Sequence, residues 1–286
     1  MEIFLQTLLS SISDASLYLM LSVGLALTFG VLGVVNFAQG DFMTVAAYLG
    51  IAAIGAWGLS PTASLVVMIP ALMLVGALFF VLVLKPTENH PHESRLLATF
   101  GVAFILQGLV WRIWSANPEA TIQSLVTYHW GDLNVPADLV RNVTVTAVAM
   151  AFLFLFLYRS SLGREIRATA EDAIGAELIG IDTRRAQFVT TVLASGLTAI
   201  GGLMILSTST VYPQVGFSLI LKAFAVVILA GLGSIVGVVF ASLILGLATE
   251  FVASYVDPSY ADVVAFVVII VVLLVRPTGI AGKPVT

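Results

Sequence analysis

The feature that most constrains this chain is a succession of long apolar stretches separated by short polar ones. The stretches run roughly over 10–35, 42–59, 62–84, 96–114, 142–158, 186–207, 217–231, 234–254 and 261–275. Hydrophobic residues make up 59% of the chain, charged residues 10%, and the mean hydropathy is +1.08. Because a helix needs about 20 apolar residues to cross a hydrocarbon core about 30 Å thick, the sequence predicts an all-α polytopic membrane protein. We expect about 8–9 transmembrane segments, forming a single transmembrane domain over residues 1–286.

The basic residues are distributed unevenly along this predicted topology. If the segments cross alternately, Lys85, Arg95, the five arginines of 159–185, Arg276 and Lys283 all fall on one side, which is nine of the twelve Lys and Arg residues. Positive residues mark the cytoplasmic side of membrane proteins. The sequence therefore predicts that these loops are cytoplasmic and that the N-terminus is outside.

Several function classes are disfavoured by residues that the chain lacks. It has no cysteine, so disulfides and thiolate metal sites are excluded, and a net charge of −4 argues against nucleic acid. No phosphate-binding loop occurs, since the one Gly-Lys pair, Gly282-Lys283, is followed by proline. We expect no catalytic site, cofactor or metal, and we interpret His90 and His92 as an exposed loop. With no basic residue before Lys85, we also expect no cleavable signal peptide.

One long polar segment, 159–185, interrupts the apolar run and holds ten of the 28 charged residues. If it is a single helix, one apolar stripe recurs at three- and four-residue steps: Ile166, Ala170, Ala173, Ile174, Leu178 and Ile181. Such a helix could insert into a cleft on another protein. Equally, it could lie on the membrane surface as an amphipathic connector.

Two shorter polar breaks, Asn36–Asp41 and Gly231–Ser234, fall inside the apolar pattern, one in each half of the chain. Paired breaks predict discontinuous helices in a transporter built from two related halves. The alternative is a tight turn between ordinary helices. Asn36, Gln39 and Asp41 bring two amides and a carboxylate together, and polar groups at membrane depth need partners or a water-filled cavity. We therefore predict that the first break lines a pathway; otherwise Asp41 belongs to a solvated cytoplasmic turn.

At this point the motifs support a family resemblance. Residues 24–30 (GLALTFG) and 35–42 (VNFAQGDF) closely resemble the first-half signature of permeases from branched-chain amino-acid ABC importers. Residues 97–101, the segment 163–182 and the C-terminal part 260–280 resemble further conserved-looking parts of that family. The resemblance covers nearly the whole chain in order. It is strongest to the shorter of the two permeases that normally pair.

This resemblance implies partners, a place and roles for residues. The chain would be a bacterial inner-membrane permease for branched-chain, hydrophobic amino acids, in contact with membrane lipid. It would act with a second homologous permease, a periplasmic substrate-binding protein and two cytoplasmic ATP-binding subunits that hold ATP and magnesium. The implied translocation pathway contains Asn36, Phe37, Gln39, Gly40, Asp41, Gly231, Gly233 and Ser234. The implied coupling segment within 159–185 contains Arg164, Arg167, Ala168, Glu171, Asp172, Ala173, Leu178, Gly180 and Ile181, with Arg164 and Arg167 pairing with acids on the ATPase.

The sequence departs from the family pattern at two positions. Gln39 stands where members often carry His, and Asp41 stands where Glu is common. Both changes leave the substrate open, and a related permease for urea, short amides or other amino acids is the nearest alternative. An ion-coupled secondary transporter that uses Asp41 is a more distant one.

Overall fold

Helices form most of the chain in the computed structural model, which describes residues 2–114, 126–130, 133–208, 210–276 and 278–281. The helices are α1 Glu2–Leu32, α2 Gln39–Trp57, α3 Leu65–Phe79, α4 His92–Trp114, α5 Ala137–Arg159, α6 Ser161–Glu171, α7 Ala173–Leu178, α8 Thr183–Thr208, α9 Val215–Ala230, α10 Ile235–Tyr255 and α11 Ala261–Val275. A π turn, Phe80–Leu84, follows α3, and a short 3-10 turn, Pro258–Tyr260, precedes α11. Strands β1 Thr127–Trp130 and β2 Leu133–Pro136 pair as an antiparallel hairpin, with Thr127 opposite Pro136. The all-α prediction is confirmed.

Seven helices within the described residues are long and apolar enough to cross a membrane: α1 to α5, α8 and α10. Helix α3 reaches that length together with its π turn. Two further apolar helices, α9 with 16 residues and α11 with 15, are shorter. Each apolar segment predicted from the sequence therefore corresponds to a helix, and the protein is a multi-pass membrane protein.

Helices α1 and α5 begin five residues or more before the positions that hydropathy predicts. Helix α1 starts eight residues before position 10, and there Thr7 and Ser11 donate their hydroxyls to carbonyls one turn back, at 2.8 and 2.7 Å. Helix α5 starts five residues before position 142, and there Asp138 Oδ1 lies 2.6 Å from Arg141 Nη1. These bonds within one turn satisfy polar groups inside a helix. A hydropathy profile scores each residue by its polarity alone, so it cannot show that these polar groups are hydrogen-bonded.

The bundle is organised around α1 and α8, which are its most enclosed spans. Within the membrane-length windows, 89% of α1 and 83% of α8 is buried, against 28%, 17% and 28% for α3, α4 and α5. Small residues allow the close packing. A Cβ at Gly76 of α3 would lie 2.6 Å from the Ser195 Cβ of α8, and a Cβ at Gly246 of α10 would lie 2.8 Å from the Ser11 carbonyl oxygen of α1. Backbones in a membrane approach closely where residues are this small.

The basic loops meet at one end of the bundle. Arg95, at the start of α4, donates to the Leu32 carbonyl at the end of α1, at 3.4 Å. Arg184, at the start of α8, lies 3.3 Å from Glu88 in the loop after α3. The structure thus gathers the loops that the charge pattern assigns to one side. That this side is cytoplasmic stays a prediction.

The segment 159–185 folds as two helices and not as one, so the prediction of a single continuous stripe is wrong. Asp172, at φ −155° and ψ 102°, separates α6 from α7, and its carboxylate accepts the N–H of Gly175 at 3.0 Å as an N-cap. The break turns the two halves of the predicted stripe to different sides. Ile166 is buried, whereas Ile174 and Leu178 are exposed.

Candidate functional site

The break between α1 and α2 lies inside the bundle. Helix α1 ends at Leu32, Gly33 turns the chain at φ +64°, and α2 begins only at Gln39. A Cβ at Gly24 would lie 2.6 Å from Gln39 Nε2, so this side chain rests on α1. Gly24 lies eight residues before Leu32, about 12 Å along the helix axis. Helix α2 therefore begins at membrane depth, as the discontinuous-helix prediction requires.

The polar groups of this break bond to one another and to α8. Asn36 Nδ2 donates to Gln39 Oε1 at 2.9 Å, and Asn36 Oδ1 accepts the N–H of Ala38 at 3.1 Å. Gln39 Nε2 donates to the Ala194 carbonyl at 3.2 Å and also to the Thr198 hydroxyl. Asn36 is 2% exposed and Gln39 is 0% exposed. In this conformation the network fastens the start of α2 to α8, and it is enclosed by the chain itself.

Asp41 is also buried, at 2% exposure, in the first turn of α2. Its Oδ1 accepts from Gln107 Nε2 of α4 at 2.9 Å. A carboxylate at this position faces the positive end of the helix dipole, which stabilises its charge. The alternative of a solvated cytoplasmic turn does not fit this burial. A role of Asp41 in the pathway stays a prediction.

Phe37 joins the same break to two other helices. Its ring stacks on Phe100 of α4 with centroids 4.1 Å apart, and lies 6.2 Å from Phe224 of α9. Its backbone N–H donates to the Thr99 hydroxyl at 3.3 Å. The connection between α1 and α2 is therefore held by α4, α8 and α9 together.

A second discontinuity meets the first, but at a different place from the one predicted. Helix α8 ends at Thr208, and α9 begins at Val215 against the start of α2. A Cβ on Gly40 would lie 2.2 Å from the Gly216 carbonyl oxygen, so the two helix starts touch through their backbones. The counterpart of Asn36–Asp41 is therefore the start of α9. Polarity gave no signal there, because 210–216 contains no charged residue; its proline and glycine are the signal that could have indicated it.

The predicted counterpart, Gly231–Ser234, lies at the opposite end of α9. Gly231 and Gly233 have φ of +90° and +83°, and the Ser234 hydroxyl accepts the N–H of Gly237 at 3.1 Å to cap α10. A Cβ at Gly30, near the end of α1, would lie 3.5 Å from Gly233 Cα. The structure therefore gives the alternative considered above, a tight glycine turn between two helices.

This turn borders a cavity of about 870 Å³ between the end of α1, the end of α5 and helix α6. Arg167 and Glu171 of α6 line it together with Gly231, Gly233 and Ser234. The structure thus brings part of the predicted pathway set next to the predicted coupling set. It separates both from the network around Gln39.

Helix α6 is attached firmly to the bundle. The Ser160 hydroxyl accepts the N–H of Gly163 at 2.8 Å as its N-cap. A Cβ at Gly163 would lie 2.3 Å from the Phe156 carbonyl oxygen, so α6 packs directly on the end of α5. Arg167 Nε donates to the Leu157 carbonyl at 3.1 Å, and its guanidinium stacks 4.5 Å from the Tyr158 ring. Arg167 is therefore engaged within the chain although it is exposed, and Arg164, which is also exposed, donates from Nη1 to the Arg159 carbonyl at 3.4 Å.

Helix α7 presents an apolar surface outside the bundle. Ile174, Leu178 and Ile179 are 75%, 83% and 77% exposed, and we call these three residues the α7 apolar surface. Of the other predicted coupling residues, Ala173 and Gly180 are exposed, and Ala168 and Ile181 are half-buried. Large apolar side chains grouped on an exposed surface mark an interaction site. Ile179 was not among the residues selected from the sequence, because it lies outside the three- and four-residue spacing of a helix.

A multi-pass helical bundle with two helices that start at membrane depth has the architecture of a transport permease. Comparison with known protein families identifies the kind of permease. The family described as "Branched-chain amino acid transport system / permease component" matches residues 7–273, and the chain belongs to this family. It is a transport subunit and not an enzyme, as the sequence predicted.

Individual relatives match nearly end to end. The high-affinity branched-chain amino acid transport system permease protein LivH of Salmonella typhimurium is 31% identical over 98% of this chain and 96% of its own length. The corresponding permease protein BraD of Pseudomonas aeruginosa is 30% identical over 98% of this chain and 96% of its own length. Among solved structures, PsaBC from Streptococcus pneumoniae in complex with Fab matches with a TM-score of 0.53 and 13% identity, covering 97% of this chain and 93% of that one. This last likeness concerns the fold alone.

Proposed function

We propose that this chain is one of two paired permeases in an ATP-driven importer of branched-chain, hydrophobic amino acids in the bacterial inner membrane. A periplasmic binding protein delivers the amino acid, and two cytoplasmic subunits bind ATP and magnesium. The substrate class is taken from relatives that are 30% and 31% identical over nearly their whole length and are named for branched-chain amino acid transport. The observation that supports ATP as the energy source is the α7 apolar surface.

The α7 apolar surface lies at the basic end of the bundle, in a chain whose sequence has no phosphate-binding loop. Energy for transport must then come from elsewhere, and an exposed apolar helix beside arginines suits docking to a second protein. Arg164 of α6 and Arg185 of α8, on the helices that flank α7 in the chain, are exposed. Acidic groups on the docked subunit would complement them. We therefore assign α7 as the element that enters the ATP-binding subunit, and α6 as the element that transmits its movement.

The packing supports a route from this docking point to the membrane interior. Helix α6 buries Ile166 and Thr169 and contacts α1, α5 and α8. Helix α8 in turn carries Thr198, which accepts from Gln39 at the start of α2. A movement of α6 would therefore displace α8 and, through the Gln39–Thr198 hydrogen bond, the start of α2. Because an ABC importer must favour its outward- and inward-open states in turn, a connection of this kind is what ATP binding would act on.

The test begins with purification of the protein from its native membrane and identification of the subunits that accompany it. The complex is then reconstituted in liposomes, and leucine uptake is measured with and without ATP and the binding protein. We expect uptake that requires both and is unaffected by uncouplers. Uptake abolished by uncouplers without any need for ATP would contradict the proposal and favour an ion-coupled carrier. ATP-dependent uptake of urea but not of leucine would contradict the substrate assignment.

A further inference from the structure

We propose that a charged patch formed by Asp14, Lys222 and Glu250 binds the zwitterionic head group of the amino acid during its passage. Asp14 lies on α1, Lys222 on α9 and Glu250 on α10. The proposal rests on the proposed function and adds the residues that contact its substrate. These positions are outside the breaks and the coupling segment described above.

The three charges belong to one neighbourhood. Lys222 Nζ lies 5.7 Å from the centroid of the Tyr18 ring and donates to the Tyr18 hydroxyl. The Asp14 carboxylate interacts electrostatically with both Lys222 and Glu250. Lys222 thus lies near the Tyr18 phenol and the Asp14 carboxylate of α1, and Glu250 adjoins Asp14 from the third helix. All three charged side chains are half-buried, so they are open to the outside of this chain.

The patch extends from the outer edge of the membrane to a depth where charge is costly. Asp14 is 18 residues before Leu32, the cytoplasmic end of α1 under the predicted orientation, or about 27 Å along the helix axis, near the outer edge of a core about 30 Å thick. Lys222 lies deeper: the carbonyl of its neighbour Ala223 accepts from the Ser22 hydroxyl of α1 at 3.3 Å, and Ser22 is only about 15 Å from Leu32. A charged side chain facing lipid at such a depth costs about 3 kcal/mol or more, and such residues face a partner or water instead. The outer surface of this patch therefore borders protein or an aqueous path.

The exposed side of α9 also indicates an aqueous path. Gln214, Ser218 and Lys222 follow one another at four-residue intervals, and Gln214 and Ser218 are exposed. This polar stripe is flanked on the same helix by Phe217 and Leu221, which are 45% and 39% exposed. The Ser218 hydroxyl also donates to the Val215 carbonyl at 2.8 Å. Helix α3, by contrast, exposes apolar side chains such as Leu74, as a lipid-facing helix does. A polar stripe on α9 that continues into the charged patch fits one wall of an aqueous path.

The chemistry of the patch matches what all branched-chain amino acids share. The Lys222 ammonium can bind the α-carboxylate, and the Asp14 and Glu250 carboxylates can bind the α-ammonium. Charge-assisted bonds of this kind are stronger than neutral ones. Because these bonds do not involve the apolar side chain of the amino acid, the patch would bind leucine, isoleucine and valine equally. Selection among hydrophobic amino acids would then depend on the binding protein.

Accessibility can be tested directly, because the chain has no cysteine of its own. Ser218→Cys and the matched control Leu74→Cys are each placed in the complete complex in nanodiscs and treated with charged thiosulfonate reagents. Since the reactive thiolate forms in water and not in lipid, we expect Ser218→Cys to react about tenfold faster or more than Leu74→Cys. Equal, slow reaction of both variants would overturn the inference.

The charge of Lys222 is tested in the same Ser218→Cys complex. Unit charges about 6 Å apart in water alter a rate about threefold, so Lys222→Met should lower the ratio of anionic to cationic labelling by at least that factor. We expect Lys222→Met to reduce leucine uptake about tenfold, and Lys222→Arg to keep most of it. Full uptake by Lys222→Met would overturn the inference while leaving the proposed function intact. Absence of uptake by the unmodified complex would instead overturn the proposed function.

Discussion

Gly40 and Gly216 touch through their backbones: a Cβ on Gly40 would lie 2.2 Å from the Gly216 carbonyl oxygen, and one on Gly216 would lie 2.3 Å from that of Gly40. The contact joins the first turns of two helices, α2 and α9, that start at membrane depth. The closest atom on each side belongs to the backbone and not to the end of a flexible side chain, so neither helix can make room without moving as a whole. The two helix starts are therefore expected to move together.

The first prediction concerns this contact. Gly216→Ala should destabilise the protein by about 1–3 kcal/mol, because the added methyl group forces α2 and α9 apart. Gly55→Ala in α2 is the matched control, since no atom of the described residues lies within 4 Å of a Cβ there. Thermal unfolding in detergent should show a lower midpoint for Gly216→Ala, and an unchanged or higher one for Gly55→Ala. Equal midpoints would show that the contact is not close.

The second prediction concerns Gln39. Gln39→Leu removes the acceptor of the buried Asn36 amide and the donor to Thr198, and unsatisfied buried groups cost about 1–3 kcal/mol each. Thr198→Val removes the hydroxyl that accepts the hydrogen bond from Gln39 Nε2. A double-mutant cycle measured by thermal unfolding should give a coupling energy of about 0.5–3 kcal/mol. Strict additivity of the two changes would mean that this bond does not hold α2 to α8.

The third prediction separates the charge of Asp41 from its hydrogen bond. Asp41→Asn keeps an oxygen that can accept from Gln107, whereas Asp41→Leu does not. We expect Asp41→Asn to retain more than half of the leucine uptake, and Asp41→Leu to lose stability and uptake together. An inactive but fully folded Asp41→Asn would show that the charge itself is used in transport, as an ion-coupled mechanism would require.

The fourth prediction concerns the α7 apolar surface. Leu178→Glu places a charge on a side chain that is 83% exposed, so folding of the permease should be unaffected. If the surface enters the ATP-binding subunit, the buried charge should weaken the complex by about 2 kcal/mol or more, seen as loss of co-purification. Ser161→Glu, on the exposed start of α6, adds the same charge away from this surface and should leave the complex intact. Normal co-purification of Leu178→Glu would place the docking site elsewhere.

The spans could be predicted from the sequence because hydrophobicity alone decides them. The break at Asn36–Asp41 was also found, since two amides and a carboxylate rarely occur at membrane depth unless they have partners or line a cavity. The break at the start of α9 was missed, because the residues that form it carry no charge and few polar groups. Its partner Gly40 becomes informative only when the two helices are seen in contact.

The coupling segment shows a second limit of sequence analysis. A stripe from Ile166 to Leu178 fits one helix by spacing, yet Asp172 caps a new helix there instead of continuing the old one. Asp is favoured at N-caps for the hydrogen bond that it makes here with Gly175. The spacing of apolar residues indicates which of them would share a face of a helix, but the capping residues determine where the helix ends. The partners Gln107 and Thr198 were missed for a simpler reason: contacts between distant parts of a chain leave no local pattern.

The C-terminal segment is tied to α9 by two backbone hydrogen bonds: Ile280 N–H to the Leu229 carbonyl at 2.8 Å, and Ala281 N–H to the Ala230 carbonyl at 2.9 Å. Gly279, at φ +78°, fits against Gly231, where a Cβ would lie only 2.5 Å from the Gly231 nitrogen. Whatever tilts α9 during a transport cycle therefore carries residues 278–281 with it. A fluorescent label at Ala281, paired with one on α7, would follow that tilt in real time without altering the membrane interior.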